Sequence, residues 1–147
     1  MEAVILSGIQ AAGKSSFYKA RLADSHLRLN LDMLRTRHRE RVLLAACLEA
    51  KQPFVVDNTN LTQAERAVYI EAAREARFRV VGYCFWIDLE TALARNALRE
   101  RRRPVPDKAI RASLRRWEIP RLEEGFDLLW EVRAVDGDFR LTAAERL

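Results

Sequence analysis

Residues 8–15 read GIQAAGKS and fit the pattern G-x-x-x-x-G-K-[ST]. A loop of this kind turns successive backbone N–H groups inward around an anion, and the helix that follows adds the positive end of its dipole. Gly8 and Gly13 permit the backbone angles of such a cradle. Lys14 has the reach to meet the β- and γ-phosphates of a nucleoside triphosphate, and the Ser15 hydroxyl is a candidate Mg²⁺ ligand. The flanks suit the loop, with an apolar run (AVIL) before it and a stretch free of Gly and Pro after it.

Three further groups carry chemistry, and each has a plainer use. In NLDMLR, Asp32 and Arg35 stand at i, i+3 and on a helix would share one face. Asp32 could then accept a proton from an acceptor hydroxyl while Arg35 grips an acceptor phosphate. A helix N-cap and a solvated arginine account for the same two residues. Asp57 ends the apolar run PFVVD, where a Walker-B aspartate would approach the Mg²⁺ shell. An Asx-turn through Asn58, Thr59 and Asn60 would also place it there. Arg95 and Arg99 at i, i+4, then Arg101, Arg102 and Arg103 before Pro-Val-Pro, form either a cationic flap over phosphates or a helix end whose cations suit its dipole.

The remaining reactive residue types carry less. His26 and His38 have no Cys or His at metal-ligand spacing and read as surface residues. Cys47 and Cys84 lie in apolar runs and read as small buried hydrophobes rather than a disulfide or a metal pair.

Positioning these groups requires strands that end beside one another. Apolar runs predict strands at 2–7, 26–32, 53–58, 77–88 and 128–135, with a short return strand after the DGD turn. Helical spacing predicts helices at 14–23, 40–52, 89–99 and 107–117, an arginine-studded helical stretch between Asp32 and the second of these, and one that opens on Thr62 with Glu65 completing a capping box. The alternation predicts an α/β fold, a parallel sheet flanked by helices in three layers. Right-handed crossovers would bring the carboxyl ends of the strands, and so residues 8–16, Asp32 and Asp57–Asn60, to one edge.

The ordered set GIQAAGKSSF, NLDMLR, VVDNTNLTQAER, ARNALRERRRPVP and IPRLEEGFD resembles the kinase module of phage-type polynucleotide kinases and their bacterial relatives, over residues 4–135. The resemblance implies a P-loop kinase with a short arginine-rich lid, which moves the γ-phosphate of ATP to the 5′-hydroxyl end of RNA or DNA. It also implies roles. Lys14, Ser15 and Ser16 take the nucleotide phosphates together with the backbone of Gly8, Ala11, Ala12 and Gly13. Asp32 is the general base, Arg35 binds the phosphate beyond the attacked hydroxyl, and Arg95 and Arg99 belong to the lid, Arg99 on the ATP phosphates. Ala11 and Ala12 stand where Gly-Ser is commoner, which stiffens the loop and leaves its backbone donors intact.

The composition bounds these readings. At 147 residues the chain is expected to form one domain, 1–147, large enough to bury roughly 68–70% of its unfolded surface. Hydrophobic residues at 49% against 32% charged exclude a disordered chain. No apolar run approaches the roughly 20 residues of a membrane span, and strand-like sequence from Ala3 leaves no room for a signal peptide, so a cytoplasmic protein is expected. The net charge of +5 favours anionic ligands without separating nucleotides from nucleic acid. The reading is an ATP- and Mg²⁺-dependent kinase. Its rivals are a small-molecule kinase acting on a nucleoside, sugar or antibiotic, and a nucleotide-binding regulatory module with little turnover.

Overall fold

The computed structural model describes residues 1–99 and 104–144. Its order is β1 (Glu2–Ser7), α1 (Lys14–Arg21), β2 (Leu27–Leu29), α2 (Leu31–Leu34), α3 (Arg37–Ala50), β3 (Phe54–Asp57), α4 (Gln63–Glu75), β4 (Arg79–Phe85), α5 (Leu89–Ala97), α6 (Asp107–Arg116), β5 (Leu128–Val135) and β6 (Asp138–Ala143). A 3₁₀ turn, Leu122–Glu124, lies between α6 and β5. The strands form one sheet in the order β2-β3-β1-β4-β5-β6. All neighbours pair in parallel except the β5–β6 hairpin.

β1 is apolar from Ala3 to Leu6 because both of its faces are covered there, as parallel strands require. Ala3 and Ile5 face a cluster with Leu44 and Cys47 of α3 and with Tyr69, Ile70 and Ala73 of α4. Val4 and Leu6 face the opposite cluster, built on Phe17 of α1 with Val55, Val81 and Phe85. Three layers result, with the sheet in the middle. Fully buried side chains such as Phe17 and Phe54 each contribute about 1.5–3 kcal/mol. A third cluster, Ile9, Leu61, Ala92 and Ile110, seats α5 and α6 at the edge where β1 ends. No described helix is long and apolar enough to cross a membrane.

Several boundaries differ from expectation for local reasons. The second strand stops at Leu29 because Asn30 caps α2, its side chain accepting from the Met33 N–H at 3.0 Å. The arginine-studded stretch after Asp32 is not one continuous helix, because Thr36 caps α3 at Arg37, accepting from the Arg39 N–H at 3.1 Å. Thr62 does cap α4, but the Glu65 carboxylate accepts from the Leu61 N–H, one residue before the cap, so the reciprocal box is displaced by one position. His26 is not a surface residue. Its ring lies within hydrogen-bonding distance of Glu2 (3.0 Å) and Ser25 (2.7 Å), with its side chain only 10% exposed. Both cysteines are buried and unpaired, and burial pushes the Cys84 thiol up to about 12.

Candidate phosphate-binding site

The loop from Gly8 to Gly13 leaves β1 and enters α1. Gly13 stands at φ 102 and caps the helix with its carbonyl, which accepts from the Phe17 N–H at 2.9 Å. A side chain at that φ would be strained. Ala11 sits at φ 65, also left-handed, so this loop holds an alanine where glycine is the unstrained residue. Gly8 and Ala12 are buried beneath the loop.

Lys14 is buried at 9% exposure, and its Nζ donates to the Gly8 and Ile9 carbonyls at 2.6 and 2.7 Å. Burial pushes its ammonium from the ordinary 10.5 down to about 8; Asp57 works against that fall, Arg99 with it and Asp32 against it. The three side chains named far along the chain thus act on one lysine. A buried ammonium held by two neutral loop carbonyls is poised to exchange them for stronger anionic partners.

Beside it, the Ser15 hydroxyl donates to Asp57 Oδ2 at 3.2 Å. Asp57 is 2% exposed. The pair offers two hard oxygens, a hydroxyl and a carboxylate, which suits Mg²⁺ held partly by phosphate and water rather than an all-protein cage. Among the described residues no group of three His, Cys, Asp or Glu could hold a metal. The sequence reading missed Arg28 here. Its Nε and Nη2 both reach Asp57 Oδ2, at 2.8 and 2.7 Å, and Nη2 also donates to Ser15 Oγ at 3.0 Å.

Asp32 reaches the same cleft on α2, which is anchored from two sides. The Asn30 amide donates to the Asp57 carbonyl, and the Leu31 N–H donates to Asn58 Oδ1 at 2.9 Å. Asn58 in turn donates to Glu40 at 3.0 Å, a carboxylate buried in α3 that also accepts from the Tyr69 hydroxyl at 2.6 Å. Burial, reinforced by Glu40, pushes the Tyr69 hydroxyl well above the usual phenol range, so it stays a donor. Asn60 serves the turn instead. Its amide donates to the Leu6 carbonyl at 2.7 Å, and its own carbonyl accepts from Ser7 and from the fully buried Arg66. Arg66 is neutralised by Glu124 through two hydrogen bonds of 2.8 and 3.0 Å.

One open cleft of about 1010 Å³ is lined by Ala11, Gly13, Lys14, Ser15, Ser16, Asp32, Asp57, Arg95 and Arg99 among the expected residues. Gln10, Arg28, Asn58 and Thr59 join them, and the β5–β6 turn forms part of the wall through Asp136, Gly137 and Phe139. Arg35 is not among the lining residues, and the shared-face expectation fails. α2 ends at Leu34 and Arg35 follows it at φ 76, turned out of the helix and exposed. Arg101, Arg102 and Arg103 lie outside the described residues. The two ends of that arginine segment are tied together, because buried Asn96 donates to the Val105 carbonyl at 2.6 Å and accepts from its N–H at 3.1 Å.

Comparison with known proteins agrees with this architecture. The bifunctional polynucleotide phosphatase/kinase of Schizosaccharomyces pombe is 28% identical over 137 residues, which cover 89% of this chain and 33% of that protein. The chain therefore spans about a third of that relative's length. The solved structure of Chaetomium thermophilum Kti12 in complex with ADP-AlF3 superposes with a TM-score of 0.68 at 16% identity, over 91% of this chain and 90% of that one. A gluconokinase from Sinorhizobium meliloti gives a TM-score of 0.61 at 20% identity, over 88% and 82%. At those identities the two structures speak for the P-loop kinase fold alone. The sequence model of the AAA domain family matches residues 4–120, and the chain belongs to that family.

Proposed function

We propose that residues 1–147 form one kinase domain that transfers the γ-phosphate of ATP, with Mg²⁺, to the 5′-hydroxyl end of a nucleic acid strand. The observation that carries this reading is the convergence of Lys14, the Ser15–Asp57 pair, Asp32 and Arg99 on one open cleft. The loop amides of residues 11–16 would cradle the β-phosphate, and Lys14 would leave the Gly8 and Ile9 carbonyls for the β- and γ-phosphates. Ser15 and Asp57 would hold Mg²⁺, which when bound supplies charge neutralisation on the transferring group. Asp32 would accept the proton of the attacking hydroxyl, and Arg95 and Arg99 would meet the charge that develops on the phosphoryl oxygens. Arg35, outside the cleft lining, would meet a phosphate one nucleotide beyond the attacked hydroxyl.

Two things support a strand end as acceptor. The S. pombe relative is a polynucleotide phosphatase/kinase by name, and the cleft is open with cations along and beyond its rim. The likeness to the S. meliloti gluconokinase favours a second reading, a small-molecule kinase on the same fold. A regulatory module that only binds nucleotide would have no use for Asp32 in the cleft.

Paired variants test the reading. Lys14→Ala should abolish transfer to a 5′-OH oligonucleotide and weaken ADP binding with the fold retained. Asp32→Ala should abolish transfer while leaving ADP affinity within about twofold, because it serves the acceptor. Loss of ADP binding in Asp32→Ala would move that residue to a metal or structural role.

A further inference from the structure

The guanidinium of Arg28 lies against both of the oxygens proposed to hold the metal, which are themselves hydrogen-bonded to each other. It lies 2.7 Å from Asp57 Oδ2 and 3.0 Å from Ser15 Oγ. Mg²⁺ binds oxygen at about 2.0–2.1 Å and demands near-octahedral geometry, so it cannot share those lone pairs with a fork of N–H donors. The backbone of Arg28 is fixed, being paired in parallel with Val55 of β3 at the β2 edge of the sheet. Its head is not. The side chain is 17% exposed and lines the cleft, with the guanidinium carbon 5.5 Å from the centre of the Tyr18 ring. Tyr18 is itself held by its hydroxyl, which donates to the His26 carbonyl at 3.1 Å. The cation therefore has a fixed stem, an aromatic face beside it and an open side toward the cleft.

We propose that Arg28 is the resident counter-cation of the metal site: it neutralises buried Asp57 while the site is empty and is displaced when Mg²⁺ arrives with the nucleotide. This inference rests on the proposed nucleotide site. A buried carboxylate without a cation is costly, which explains why a site built for a divalent ion carries its own substitute. One consequence separates this role from a purely structural pair. With Arg28 in place, nucleotide without metal meets an Asp57 that is already neutralised. Without Arg28, metal-free nucleotide meets a bare carboxylate, while Mg²⁺ meets no competitor.

Arg28→Met should therefore bind ADP more weakly in EDTA and more tightly in Mg²⁺. The ratio of the two Kd values should rise about tenfold or more over wild type, or about 1.4 kcal/mol of added metal coupling. Arg28→Lys, a cation without the fork, should fall between. An unchanged ratio would make Arg28 a structural pair and overturn the proposal. The wild-type protein provides a measurement that no folding defect can obscure. The Arg28 Nε–H, assigned by comparison with Arg28→Lys, should be protected from solvent exchange in the empty protein and in ADP with EDTA, and should lose that protection in ADP with Mg²⁺. Loop amide shifts in the same spectra report nucleotide binding. If those amides shift with Mg·ADP while Arg28 stays protected, the displacement is refuted and the nucleotide site stands. If no loop amide responds to ADP at all, the site reading and this inference fall together.

Discussion

Lys14 should take up a proton when nucleotide binds, and the amount follows from its burial. With its pKa near 8 in the empty protein, about half of the lysine is neutral at pH 8. Phosphates brought against Nζ restore the ammonium, so binding ADP at pH 8, where the nucleotide's own phosphates are already ionised, should draw about 0.5 proton from the buffer. Titration calorimetry in two buffers of different ionisation enthalpy measures this uptake directly. The same group shapes stability. An unfolded lysine keeps its proton to about 10.5, whereas the folded one releases it near 8, so between those values the unfolded chain binds more protons and stability rises with pH. At pH 7 the native protein carries the whole cost of the buried ammonium, about 3 kcal/mol. Lys14→Met removes it. Wild type should therefore gain about 3 kcal/mol on the variant as pH rises from 7 to 10.5, a difference in which other titrating groups cancel. Normal ADP binding without proton uptake at pH 8, or a pH-independent stability difference, would mean that Lys14 is not a depressed lysine facing the phosphates.

Arg66→Met leaves Glu124 buried without its cation and should cost about 3–5 kcal/mol, lowering Tm by about 10 °C; adding Glu124→Leu should recover much of it in thermal melts. Ala11→Gly relieves a left-handed alanine worth about 1–2 kcal/mol against about 0.4–1 kcal/mol of added unfolded-state entropy, so denaturant melts should show unchanged or slightly raised stability. Arg99→Ala should lower kcat/KM by about 10²–10³-fold with the acceptor KM little changed, as expected for a cation that meets only the donor phosphates.

What the sequence shows and hides follows from how local each signal is. The phosphate loop was legible because its loop, lysine and serine lie within eight residues, and Asp57 because it closes an unbroken apolar strand. Arg28 was not legible. In the strand it alternates with Leu27 and Leu29 like any outward cation, and only the adjacency of β2 and β3 aims it at Asp57. Nothing local marks Arg66 as buried, since its partner Glu124 is 58 residues away. The Asp32–Arg35 face was misread because the spacing argument assumed a continuing helix. Two caps, Asn30 and Thr36, instead cut the chain into a four-residue helix and a separate longer one. Thr36 was a visible start signal that the arginines around it obscured.

Transfer of phosphate from ATP to a strand end can be read from an acceptor panel. Labelled ATP with Mg²⁺ would be offered with 5′-OH RNA, 5′-OH DNA, nucleoside 3′-phosphates, plain nucleosides and sugars, each with wild type, Lys14→Ala and Asp32→Ala. Label should appear on oligonucleotides or 3′-nucleotides in wild type only, weakening as salt rises because phosphate contacts release counterions. Efficient labelling of a nucleoside or sugar with none on oligonucleotides, or label undiminished in Asp32→Ala, would contradict it.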